Sequence, residues 1–122
     1  MELTLDSGNN QYTLSAHERG KIKINETDYT KSLILSPNHL IPDWSPTSPN
    51  EITLETLQPI LELKPDLVII GTGETPFFAK QEWLAFFYQH KIGIEVMTTQ
   101  AACRTFTILS SEGRNVVAGF VI

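Results

Sequence analysis

Hydrophobic positions along this chain follow two different rhythms, and the change falls in the Pro- and Ser-rich stretch from Pro42 to Pro49. Upstream, the segments Tyr12 to Ala16, Lys21 to Ile24 and Ser32 to Leu35 alternate or run apolar, with Gly20 and Asn25-Glu26 as turn signals between them. Successive side chains of a strand point to opposite faces, so short runs of this kind broken by turn residues predict a small antiparallel β section.

Downstream, helical spacing and short apolar runs take turns. Leu54, Leu57, Ile60 and Leu61 share a helical face behind Thr53, whose hydroxyl suits an N-cap. Pro59 lies beyond the first turn, where it removes a backbone hydrogen bond and crowds the preceding carbonyl, which predicts a kinked or broken helix. The run Leu67-Val68-Ile69-Ile70, ending in Gly71, predicts a buried strand. A second helix is expected over about Lys80 to His90, with Trp83, Leu84, Phe87 and Tyr88 on one face and Gly93 as its stop. A strand from Ile94 to Met97 follows. Thr98-Thr99 then offers N-cap hydroxyls to a third helix, in which Ala102, Cys103, Phe106 and Leu109 share a face, and Gly113 ends it before a closing strand from Val116 to Val121.

This is a β-α-β-α-β run, and strands joined by helical crossovers are normally parallel and right-handed. The expected fold class is therefore α/β: an N-terminal antiparallel β section followed by a small parallel sheet with helices against it. With no repeat and no long linker, residues 1–122 are expected to form one domain.

Composition narrows the function classes. Nine Lys plus Arg against fourteen Asp plus Glu give a net charge of -5, the wrong sign for gathering the phosphates of a nucleic acid. The aromatic residues Phe77, Phe78, Trp83, Phe86, Phe87 and Tyr88 are not interleaved with basic residues and read as one core cluster. A single cysteine, Cys103, excludes an internal disulfide, and His17, His39 and His90 are too scattered for metal-ligand spacing. Neither a metal nor a cofactor is expected. The N-terminus, MELTLDSGNN, carries no leader pattern, and no apolar run is long enough to span a bilayer, so the expected location is cytoplasmic, without membrane insertion.

Candidate chemistry falls on two loops, because open parallel sheets bind ligands at the carboxyl ends of their strands. In Gly71-Thr72-Gly73-Glu74-Thr75-Pro76 the glycines permit close backbone approach, and a helix after them would present amides to an anion. A dinucleotide fingerprint would need glycine at Pro76 and an acidic residue near Met97-Thr98, so dinucleotide binding is disfavoured; a tight turn is the alternative. In the second loop, Thr98 and Thr99 stand with Cys103 and Arg104 near a helix start. Cys103 is either a thiol activated by the helix end and its cationic neighbour or a small buried hydrophobe. Arg104 can fork a carboxylate or phosphate, or anchor carbonyls of its own chain. Trp44, between Asp43 and Ser45, is a candidate partner contact or a lid over the core. No acid-base set emerges, so no catalytic residue is named.

The order of Ile41-Pro42-Asp43-Trp44, Leu67-Val68-Ile69-Ile70-Gly71-Thr72-Gly73, Gly93-Ile94-Glu95-Val96-Met97-Thr98-Thr99, Ala101-Ala102-Cys103-Arg104-Thr105-Phe106 and Glu112-Gly113-Arg114 resembles the Mth-type domain family of unknown function. Its relatives include mitochondrial complex I assembly factor 3 and the adipogenesis-associated Mth-domain protein. The resemblance covers nearly the whole chain. It implies a three-layer β and α/β fold, no established enzymatic reaction, and action through a protein partner met by the Pro-rich segment and an exposed β edge. A homo-oligomer is compatible with it. The alternative is a small-molecule or anion site built from Gly71, Thr72, Gly73, Thr98, Thr99 and Arg104. Gln100 departs from the family pattern, where Gly or Pro is common, and Thr107 stands in place of a frequent Asn.

Overall fold

The structure is a computed structural model and describes residues 10–122; the expectation drawn from the N-terminal MELTLDSGNN falls on residues 1–9, outside them, and on Asn10. A three-stranded antiparallel sheet is built from β1 (Leu14–Glu18), β2 (Lys21–Ile24) and β3 (Thr27–Tyr29), in that order. Its two turns need left-handed backbone, which Gly20 supplies at φ 75° and Asn25 and Glu26 supply at 48° and 74°.

The expected strand at Ser32 to Leu35 does not join this sheet. It becomes β4 (Leu33–Leu35) of a five-stranded mixed sheet with β5 (Leu40–Ile41), β6 (Leu67–Thr72), β7 (Gly93–Met97) and β8 (Val116–Val121), ordered β5-β4-β8-β6-β7. β6 pairs in parallel with β7 and β8, whereas β4 runs antiparallel to β8. Thr27–Tyr29, which lacks an apolar run, forms the third strand of the small sheet in its place.

Three helices connect these strands: α1 (Leu54–Glu62), α2 (Gln81–Tyr88) and α3 (Thr99–Ser111). The crossover through α2 carries the chain from β6 to β7, and the crossover through α3 returns past β6 to β8 on its other side. Right-handed crossovers in opposite directions put their helices on opposite faces. The core divides accordingly. On one face Leu57, Ile60, Trp83 and Phe87 pack with Ile34, Val68, Ile70, Val117 and Val121. On the other, Ala102, Cys103 and Phe106 of α3 pack with Ile69, Val116, Ala118 and Phe120 and with Leu14, Ile22 and Ile24 of the small sheet. The layers are thus α1 and α2, the mixed sheet, and α3 beside the small sheet.

Several local expectations are corrected. The break allowed for at Pro59 does not occur: α1 is continuous from Leu54 to Glu62, started by a reciprocal cap in which Thr53 and Thr56 each accept a backbone N–H of the other. Gly93 does not stop α2; it opens β7, and Lys91 takes the left-handed turn at φ 61° instead. Tyr88 lies exposed rather than on the core face, and so does Phe78.

Candidate functional site

The carboxyl ends of β6, β7 and β8 meet where the two crossovers diverge, the position at which open α/β sheets bind ligands. Gly71 is there because nothing larger fits: a methyl in its place would stand 2.9 Å from Thr99 Oγ1, 3.0 Å from Thr99 Cα and 3.2 Å from Ala102 Cβ. The start of α3 therefore lies directly on β6. Thr99 fixes that contact from both ends. Its hydroxyl accepts the Gly73 N–H at 2.8 Å and donates to the Val121 carbonyl at 2.5 Å, while its own N–H donates to the Gly73 carbonyl at 2.9 Å. The Thr72 hydroxyl is shared between the carbonyls of Thr75 at 3.1 Å and Met97 at 3.2 Å. Thr98 caps α3 by accepting the Ala101 N–H at 3.4 Å.

The Gly-Thr-Gly loop and the Thr98-Thr99 loop are thus brought together, and much of their hydrogen-bonding capacity is spent on each other and on β8. Above this junction is a cavity of about 650 Å³, within the usual range for small-molecule sites. Thr72, Gly73, Thr98 and Thr99 line it together with Gln100. Arg104 and Cys103 are not among its lining residues. Arg104 is exposed, further along α3. Cys103 is fully buried in the α3 core, where desolvation pushes its thiol far above the usual range and disfavours the nucleophilic thiolate.

The rest of the wall comes from segments that no local motif marks. One is the β1–β2 turn, His17 to Gly20; another is Thr47 to Pro49 in the connection before α1. Arg19 Nε lies 2.7 Å from Glu74 Oε1, an exposed ion pair joining that turn to the loop after β6. Burial lowers the pKa of His17, which favours the neutral imidazole. The opposite charges of Arg19 and Glu74, 55 residues apart, were the one trace of this meeting in the sequence.

Of the two readings of Trp44, partner contact and lid over the core, the structure shows the lid. The residue is 7% exposed, its indole N–H donates to the Thr56 carbonyl at 2.9 Å, and its ring edge occupies the space over Gly119, where a methyl would come within 2.7 Å of it. The nearly bare aromatic is Phe78, 96% exposed, on the segment between β6 and α2. Among the described residues, no group of three His, Cys, Asp or Glu side chains is placed to hold a metal ion, and no helix is long and apolar enough to cross a membrane.

A mixed sheet between two helical layers, with a small antiparallel sheet beside α3, defines an α/β domain of the Mth type. Residues 14–121 match the family described as protein of unknown function (DUF498/DUF598), and the chain belongs to that family. It is 33% identical over 82 residues to NADH dehydrogenase [ubiquinone] 1 alpha subcomplex assembly factor 3 of Drosophila melanogaster, across 64% of this chain and 42% of that protein. The chain thus spans less than half the length of that relative. A 13 kDa major membrane protein of Francisella tularensis is 27% identical over 99 residues, 80% of each chain. The solution structure of a Mth938-like domain from Bordetella pertussis superposes with a TM-score of 0.81 at 26% identity, covering 98% of this chain and 91% of that one.

Proposed function

We propose that this chain is a non-enzymatic binding protein of the assembly-factor kind, working in the cytoplasm on a protein client. The observation that carries this reading is the 33% identity to assembly factor 3 across 64% of the chain. A protein of that kind needs recognition surfaces rather than a reaction centre. The test is a native gel of lysate from cells that express a tagged chain, beside lysate from cells lacking the gene. The tagged chain is expected to migrate with a complex well above its own 13.7 kDa, and that complex is expected to change in amount or size when the gene is removed. Migration as a free chain only, with unchanged complexes in the deletion strain, overturns the reading.

A second reading is favoured by the cavity: a small-molecule site at the sheet's carboxyl edge, contributed by Thr72, Gly73, Thr98, Thr99 and Gln100. A ligand that binds only the folded chain raises its melting temperature by mass action. Inorganic phosphate, simple carboxylates and neutral amides and sugars are the first probes. A shift that disappears in Gln100→Ala supports the site, and no shift with any probe at millimolar concentration rejects it.

A further inference from the structure

We infer that the cavity at the carboxyl edge of the mixed sheet takes an uncharged ligand of the amide class and turns anions away. That specificity rests on the small-molecule reading above and gives the site its ligand chemistry. Among the described residues lining the cavity, the carboxylates of Glu18 and Glu74 stand against one guanidinium, Arg19, and no lysine. These charges are already paired. Arg19 Nε lies 2.7 Å from Glu74 Oε1, and Glu18 Oε2 lies 3.4 Å from Nζ of Lys21, which is not part of the wall. An anion entering here has to draw Arg19 away and face Glu74 without its cation, and like charges at short range repel. Burial favours the neutral form of His17, so that ring adds no fixed positive charge. The first turn of α3 does favour negative charge, but Gln100 on that turn is exposed, where salt screens the effect.

The groups that the fold leaves open on this wall are neutral. The Thr47 N–H and hydroxyl both donate to Glu51 Oε1, at 2.7 and 3.0 Å, and the Thr72 and Thr99 hydroxyls are committed to the junction below. By contrast, the Ser48 hydroxyl and the Gln100 carboxamide have no hydrogen bond to another described residue. The Thr98 hydroxyl accepts from Ala101 and donates to no described residue. A carboxamide carries a donor and an acceptor side by side, and a hydroxyl carries both on one atom. An amide satisfies both halves of that set, whereas a carboxylate or phosphate, which only accepts, uses the donor half alone. Pro49, Val121 and Ile122 give the wall an apolar side, which suits a small aliphatic group carried by the amide. No Phe, Tyr or Trp lines the cavity among the described residues, so a flat base has no ring to stack on.

The test is a pair of probes matched in shape and different in charge: N-acetylalaninamide and N-acetylalanine, the second a carboxylate at neutral pH. Each is titrated into the native chain and followed by backbone amide NMR shifts, with inorganic phosphate as a third probe. The amide is expected to give saturable shifts at Thr72, Gly73, Thr98 and Gln100, and the carboxylate and phosphate to bind about tenfold more weakly or less. Gln100→Ala, at an exposed position where alanine suits the helix, is expected to weaken the amide about tenfold, the size of one hydrogen bond. Glu74→Gln releases Arg19 and is expected to tighten the carboxylate. A carboxylate or phosphate that binds as tightly as the amide overturns the inference and leaves the small-molecule reading standing. So does amide affinity kept in Gln100→Ala, amide shifts confined to other parts of the chain, or a carboxylate affinity unmoved by Glu74→Gln. Silence from all three probes also overturns it, and the small-molecule reading then falls only if the neutral sugars named with it are silent too.

Discussion

Two irregular connections cross this molecule, each with an aromatic residue, and they treat that residue in opposite ways. In the connection before α1, Trp44 lies over Gly119 with its N–H on Thr56; in the connection before α2, Phe78 stands in solvent while its neighbour Phe77 takes the buried place. The difference is not in hydrophobicity. Trp44 finds a hole, because β8 carries a glycine where its neighbours Val117 and Val121 project, and it finds an acceptor for its only donor. Phe78 has neither. Trp44 is buried because the sheet leaves a vacancy for it, whereas Phe78 stands exposed beside a neighbour that already fills the place against Trp83.

The strongest test of that contrast is Trp44→Ala. Emptying a buried indole site costs about 3–5 kcal/mol, and equilibrium urea unfolding is expected to show a loss of this size. A loss below about 1 kcal/mol would mean that the ring is not the lid described here. The complementary change fills the vacancy. In Gly119→Ala a methyl would meet the Trp44 ring at 2.7 Å and Ile60 Cδ1 at 3.1 Å, and overpacking of this kind costs about 1–3 kcal/mol. The two changes touch the same contact, so in the double variant their costs should not add.

Next in size is the junction below the cavity. Thr99→Val keeps the volume but removes the acceptor for the part-buried Gly73 N–H and the donor to the buried Val121 carbonyl. Unsatisfied groups of this sort cost about 1–3 kcal/mol, and Thr99→Ser is expected to restore most of it. If Thr99→Val unfolds at the native urea midpoint, the loops do not hold each other as described. Cys103 gives a companion measurement: thiol labelling of the native protein at neutral pH is expected to be slow and to accelerate only with unfolding, because the buried thiol resists ionisation.

Much of this was legible in the sequence, and the misses have physical causes. The β-α-β-α-β order, the cap at Thr53 and the approach of the Gly-Thr-Gly loop to Thr98 and Thr99 follow from local spacing and from the rule for parallel crossovers. The partner of β4 did not, because hydrophobic pattern fixes a strand's faces and not its neighbour. A hint was present: Leu33, Ile34 and Leu35 are apolar in succession, the mark of a strand covered on both faces, whereas the strands of the small sheet alternate. The residues around Trp44 left it open between partner contact and lid, because the deciding residue, Gly119, lies 75 positions away, and Phe78, read with its aromatic neighbours as core, stands exposed. The cavity walls from His17 to Gly20 and Thr47 to Pro49 have no local signature, since only the tertiary fold brings these turns to the sheet edge.

The smallest expected effect is the most informative about the exposed side of the contrast. Phe78→Ser removes a ring with no buried surface to lose and leaves no cavity, so its stability should stay within about 0.5 kcal/mol of the native chain. At roughly 4 °C per kcal/mol for a chain of this size, that is a melting shift near the limit of measurement. Phe77→Ser is the matched control. It deletes the ring stacked on Trp83 and is expected to destabilise measurably, though less than Trp44→Ala, because Phe77 is only partly buried. If Phe78→Ser were instead to lose as much stability as Phe77→Ser, the two rings would share the burial. A near-silent Phe78→Ser beside a costly Phe77→Ser means that one ring of the pair serves the fold and the other is held out from it.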